Sequence, residues 1–339
     1  MIDTDKKTQF QNVDMKEINI DEVLAMSLAR GDIFIQTSSQ RIFRLKRAGD
    51  FLDNEWKEKI KKYPKVFQHS YSNAEVVKAL SFRLKRWMDE EDPEKFEIEL
   101  KFLLKELQER IHSHATMFDL SLSFFEVFKP DLVIIQQFQE SHVILYRRAH
   151  LVATLSCVFA LSCGYYDPRF VRDLYQAAWV LDYGLVSPDF SYWVALACQA
   201  ERAGAGSGIT FLKEKKASQK EIDLFLTHPF VSFEKAQAQL TMIFPEILSS
   251  LTRHHEKRDG SGFPNSIPYS LISDWEAILV FADQFVAYEE EDIEKQFTLS
   301  LREMWRNVQS LPLELLPVQR VVDKIKKWFR SKISFEVSA

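Results

Sequence analysis

Apolar positions along this chain recur at two periods, and the periods divide it. From about residue 131 to 310 apolar residues return every three or four positions, which predicts a nearly all-helical region. Breaks fall at Gly164-Tyr165, Pro188, the GAGSG tract at 204–208, Pro245 and the stretch DGSGFPNSIP. Ser218 followed by Glu221 has the spacing of a capping box ahead of IDLFL. Nearer the N-terminus, DIFIQ and QRIFRLK predict two strands joined by the polar turn TSSQ. NIDEVLAMSLARGD predicts a short helix ended at Gly31, and DNEWKEKIKKY a charged helix capped by Asp53 or Asn54.

Two further helices are expected outside the central region. EKFEIELKFLLKELQERIHSH places Phe96, Leu100, Leu103, Leu104 and Leu107 on one face, as a connector or a homodimer seam. His112 and His114 near its end are two apart, face different ways and are expected on the surface. PVQRVVDKIKKWFRSKI carries Val321, Val322, Ile325, Trp328 and Phe329 opposite a basic face. It suits a helix that closes the core, with a membrane-surface or partner helix as the alternative. The expected fold class is mainly α, with a small N-terminal α/β module. The boundaries are a docking or sensory module at 1–75, a helical connector at 76–130, a helical domain at 131–310 and a C-terminal helix at 311–339.

Composition narrows the function without naming it. With 339 residues, 46% hydrophobic and 27% charged, the chain has material for a sizeable core and about two domains. A formal net charge of -5 argues against a binder of nucleic-acid polymers. No apolar run approaches the roughly 20 residues that span a bilayer, and the first residues are polar; a cytoplasmic location and no membrane span are expected. Cys157, Cys163 and Cys198 lack the spacing of a disulfide framework or a CxxC site; Cys157 and Cys163, six apart in an apolar stretch, read as small buried hydrophobes.

The candidate chemistry lies in polar residues that interrupt apolar helices. They are His150 in RRAHLVATLSC, Asp182 in AAWVLDYG, His228 in FLTHPF, His254 and His255 in RHHEKRDGSGFP, and Asp283 in ILVFADQFVAY. An aspartate such as Asp182 or Asp283 is costly to bury unless it is paired, protonated or bound to metal. Two carboxylates and four imidazoles suit Fe, Mn or Zn. A carboxylate can bridge two cations about 3.5–4 Å apart, an arrangement that activates water against phosphodiesters. Adjacent histidines serve two neighbouring ions, or one ion and its outer shell. Asp259, Gly260, Gly262, Phe263 and Pro264 form a loop whose glycines and proline let the backbone turn tightly beside them.

These segments, in this order, resemble the HD-GYP family of the HD phosphohydrolase superfamily, the domain bacteria use against cyclic-di-GMP. FLKEKKASQKEIDLFLTHP, HHEKRDGSGFP and LVFADQFVAY match its later motifs, and the resemblance covers about residues 141–290. It implies an HD-type helical bundle and divalent metal, one ion or two, on His150, Asp182, His228, His254, His255 and Asp283. Asp182 would be the catalytic, bridging carboxylate.

The departures are as informative. Leu181 stands where the family has the histidine of its HD pair, and Leu185 where it has a phosphate-facing lysine. Tyr146 replaces a glutamate of one family subset, and Phe263 the tyrosine of GYP. Glu289, Glu290, Glu291 and Asp292 follow where basic residues usually hold the dinucleotide, and residues 190–208 or so are extra. The expectation is a weak or inactive phosphodiesterase that signals through a protein partner, with cyclic dinucleotide as a potential ligand. The alternatives are an active metal-dependent phosphodiesterase with an altered site, and a helical scaffold that holds no metal.

Overall fold

The computed structural model describes residues 15–38, 41–112, 115–203, 206–240, 243–257, 259–308 and 319–330. The chain divides into two compact units, Met1–Ala74 and Glu75–Ala339. Among the described residues the architecture is mainly helical with one small antiparallel sheet.

The first unit runs β1 (Lys16–Ile18), α1 (Ile20–Ala25), β2 (Gly31–Ser38), β3 (Arg41–Lys46), α2 (Asn54–Ile60) and β4 (Val66–Ser70). The sheet order is β1-β4-β2-β3, with every pair antiparallel. The hairpin read from DIFIQ and QRIFRLK is β2–β3, and the Asp53 side chain caps α2 by accepting from the Trp56 amide at 2.7 Å. Helix α1 stops at Ala25, short of Gly31. The backbone beyond it pairs across the fold instead, Ala29 N–H to Asp50 O and Leu52 N–H to Ser27 O, both at 2.9 Å. Strands β1 and β4 are short, and long-range pairing rather than local alternation makes them strands. Val23, Ile33, Ile35, Leu52 and Val66 lie in this unit's core.

The second unit is helical. It opens with α3 (Ala74–Asp89), α4 (Pro93–His112), α5 (Met117–Phe128), α6 (Leu132–Ser141), α7 (Val143–Ser162) and α8 (Pro168–Trp179). Then follow α9 (Tyr192–Ala203), α10 (Ser207–Glu214), α11 (Gln219–Gln239), α12 (Pro245–Ser249), α13 (Asp274–Phe285), α14 (Glu290–Thr298), α15 (Leu301–Val308) and α16 (Gln319–Arg330). Helix α7 is the axis. Every residue from Leu145 to Leu161 is buried, and α5, α6, α8, α13 and α16 pack around it. It is long and apolar enough to cross a bilayer by length and composition, yet 89% of that window is buried inside the protein.

The Leu100, Leu103, Leu104 and Leu107 face of α4 is buried within this unit, and so are Val321, Val322, Ile325 and Trp328 of α16. The capping box at Ser218 and Glu221 is present at the start of α11. The expectation for His112 and His114 falls outside the described side chains.

Candidate metal centre

Six elements, α7 among them, bring polar side chains to one place. Helix α7 supplies Arg148, and the 3₁₀ turn Tyr183–Leu185 follows Asp182. Helix α9 supplies Cys198 and Arg202, and α11 supplies His228. His254 and His255 follow the 3₁₀ turn Ser250–Arg253, and α13 supplies Asp283.

Close backbone approach holds these elements together. A Cβ on Gly184 would lie 2.2 Å from the His228 carbonyl oxygen, so only glycine lets the turn seat against α11. The Gly184 amide donates to Ser232 Oγ at 2.7 Å. Gly262 plays the same part for the motif loop, where a Cβ would lie 2.4 Å from the His255 carbonyl oxygen. Buried Glu256 anchors that loop by accepting from the amides of Asn265 (2.7 Å) and Ile267 (2.8 Å). Asp259 accepts from the Ser261 amide at 2.9 Å and so shapes the turn; Gly260 takes a positive φ, and Phe263-Pro264 is cis. The Phe263 ring stacks on His255 at 4.7 Å between centroids.

Three imidazoles converge. His228 Nε2 lies 3.1 Å from His254 Nε2 and 3.0 Å from His255 Nε2. His228 Nδ1 and His254 Nδ1 are each 2.7 Å from a backbone carbonyl, of Phe225 and Leu251, and therefore carry the ring proton. Their Nε2 atoms then face one another as bare acceptors, an arrangement that a cation bound at His228 Nε2 relieves. Burial first, then the neighbouring His254, pushes His228 well below the usual imidazole range, so a proton is poorly suited to that place. His255 is depressed in the same way.

Among the described residues two ligand sets arise around His228. One is Asp182, His228 and His254; the other is Cys198, His228 and His255, each with its ligand atoms within 4.8 Å of one another. Asp182 Oδ1 is 3.9 Å from His228 Nε2 and 3.7 Å from His254 Nε2. The donor set fits a single ion on the histidine side.

The carboxylate side is different. Arg148, wholly buried, donates to Asp182 Oδ2 and to Asp283 Oδ1, and reaches the Asp283 carbonyl at 3.1 Å. Its guanidinium lies 3.8 Å from the centroid of Tyr288, whose hydroxyl is 3.3 Å from both Asp182 oxygens. Arg202 adds a contact to Asp283 Oδ2 at 3.5 Å. Burial works against the Asp283 charge, but Arg148 and then Arg202 hold the carboxyl below its usual range. A guanidinium thus bridges the two carboxylates that were expected to hold metal, and these residues do not fit a second ion.

Of the residues singled out from sequence, Asp182, His228, His254 and His255 are together. Asp283 belongs to the arginine network and to neither ligand set among the described residues. His150 is elsewhere. It packs against Phe125, Tyr146 and Trp179, with ring centroids 5.1, 4.8 and 5.4 Å away. Its Nε2 has no hydrogen-bond partner among the described residues, and burial, then Arg147, pushes its pKa down to about 3. Leu181, Leu185 and Tyr146 are core residues.

Arg148, Cys198, Arg202 and Tyr288 were not read from sequence. The Arg147-Arg148 pair inside an apolar helix is a usable signal for the first; Cys198, without a CxxC partner, carries no spacing signal at all.

The fold and this centre define a helical protein with a buried histidine–carboxylate cluster. No family model matches the chain, and no curated protein matches it. Among solved structures the chain is similar to Bd1817, a HDG"Y"P protein from Bdellovibrio bacteriovorus. The match has 13% identity and a TM-score of 0.39, and covers 93% of this chain and 99% of that one.

Proposed function

We propose that this chain is a diverged HD-GYP-type protein of cyclic-di-GMP-type signalling, which acts through protein contacts, has lost phosphodiesterase activity and keeps a buried site for one divalent ion. The observation that carries this reading is Arg148. Its guanidinium neutralises Asp182 and Asp283 together, as a fixed cation where a hydrolytic metal pair needs those carboxylates free. An ion on the remaining histidines would order that cluster.

Access supports the same reading. The side chains of His228 and His254 are fully buried, and Phe263 covers His255. Leu185, packed in the core, has no charge to offer a phosphate. Glu290, Glu291 and Asp292 form the first turn of α14, where they complement the helix N-terminus and repel an anion. Exposed Phe82, Ile98 and Phe102 offer apolar surface for a protein partner or a second copy, whereas the buried face of α4 does not.

The test is hydrolysis of cyclic-di-GMP by the purified full chain loaded with Mn, Fe or Zn. No linear product is expected. Leu181→His with Leu185→Lys should also fail to restore turnover while Arg148 remains. Brisk hydrolysis by the unaltered protein overturns the proposal in favour of an active phosphodiesterase.

A further inference from the structure

We propose that Cys198, His228 and His255 form a thiolate-containing site for one soft divalent ion of the zinc type. The inference rests on the reading above only in that the buried histidines hold an ion. It adds a sulfur ligand, and with it a choice of metal.

Geometry is the first argument. The Cys198 Sγ and the ligand nitrogens of His228 and His255 lie within 4.8 Å of one another, and all three residues are buried. His228 Nε2 and His255 Nε2 are 3.0 Å apart. Two nitrogens bound tetrahedrally at 2.0–2.1 Å are about 3.3 Å apart, and a nitrogen and a sulfur bound at 2.3 Å about 3.6 Å apart. Small side-chain shifts bring the set to those values. The His228 Nδ1 proton, directed at the Phe225 carbonyl, fixes the tautomer that leaves Nε2 free to bind.

Exclusivity is the second argument. A neutral imidazole has one lone pair at Nε2, so His228 binds a single ion, centred either with Asp182 and His254 or with Cys198 and His255, whose ligand atoms cluster separately. The Asp182 alternative is compromised, because that carboxylate is already paired with Arg148 and contacted by Tyr288. A dication at Asp182 would sit one carboxylate away from a fixed guanidinium. The Cys198 thiol is free and buried, with no hydrogen bond or ion pair among the described residues, and burial holds its proton on until a metal displaces it. Thiolate with two imidazoles selects zinc, cobalt or cadmium over the harder manganese and magnesium. Cys198 lies on α9, inside the stretch marked in the sequence as extra, so the ion would also tie that helix to the histidines. Lys257 of the motif loop, paired with Glu201 of α9 at 2.9 Å, makes a parallel tie.

The experiment loads the full chain with Co(II) as a spectroscopic probe and with Zn(II). One equivalent of cobalt and a near-ultraviolet thiolate-to-cobalt charge-transfer band are expected. Cys198→Ser should abolish the band and weaken zinc binding by at least about 100-fold, more than loss of an outer-shell partner does. Cys157→Ser, whose thiol is buried between α7 and α8, should leave the band intact. Because Cys198→Ser could fail to fold, X-ray absorption at the zinc edge of the unaltered protein gives a second readout. One sulfur near 2.3 Å is expected. Nitrogen and oxygen scattering alone, a band surviving in Cys198→Ser, or no ion bound at all each overturns the site. Hydrolysis of cyclic-di-GMP by protein that shows the band would overturn the proposed function and leave the site standing.

Discussion

Arg148 and His150 stand two residues apart on α7 and meet opposite surroundings. Two residues turn a helix by about 200°, so Arg148 reaches the carboxylates while His150 enters a cluster of aromatic rings. The consequence for His150 is measurable. Unfolded, an imidazole takes its proton near pH 6.5; folded, His150 takes one only near 3. Between those values the unfolded chain binds more protons, so stability is full above about pH 6.5 and is lost as pH falls. His150→Phe keeps the aromatic packing and removes the titration. Urea unfolding with a chelator present should show its stability–pH slope reduced by about one proton, or about 1.4 kcal/mol per pH unit, between about pH 4 and 6. An unchanged slope would mean that His150 titrates normally in the folded protein.

At the scale of elements, the centre depends on how closely the 3₁₀ turn after Asp182 seats against α11. Gly184→Ala puts a methyl 2.2 Å from the His228 carbonyl oxygen, and neither backbone can yield cheaply. Overpacking of this kind costs about 1–3 kcal/mol. The variant should lose that much stability, and its zinc affinity should fall as well, because the clash falls on the backbone of His228, a ligand of the proposed site. Calorimetric titration of zinc beside urea unfolding checks both, and unaltered zinc affinity would show that the turn does not set the histidine geometry. The capping box at Ser218 and Glu221 belongs to the same scale. It was readable in advance because a cap is decided by residues three apart.

At the scale of the whole molecule, the chain is two compact units, Met1–Ala74 and Glu75–Ala339. Every ligand of the centre lies in the second, around a core helix of its own. A fragment starting at residue 75 is expected to keep its helical circular dichroism and to bind one equivalent of zinc with the affinity of the full chain; failure of that fragment to bind would show that the first unit supports the centre.

Much of the helical order was legible in sequence, because it rests on local periods, caps and breakers that lie within a few residues of one another. The β2–β3 hairpin and the positions of His228, His254, His255 and Asp182 were legible for a related reason: a polar residue in an apolar stretch, at a motif's spacing, announces itself. Strands β1 and β4 were not, since distant backbone makes them strands. Nor was the character of the centre. Arg148 and Asp283 are 135 positions apart and Arg148 and Asp182 are 34 apart, so no local pattern records that a guanidinium joins the two carboxylates. Cys198 likewise approaches His228 and His255 only through the packing of α9 and α11. The sequence by itself determined which residue types the core would bury. The tertiary structure decided which of them face one another, because burial is a property of local pattern while charge pairing and metal ligation depend on distances that only the folded chain sets.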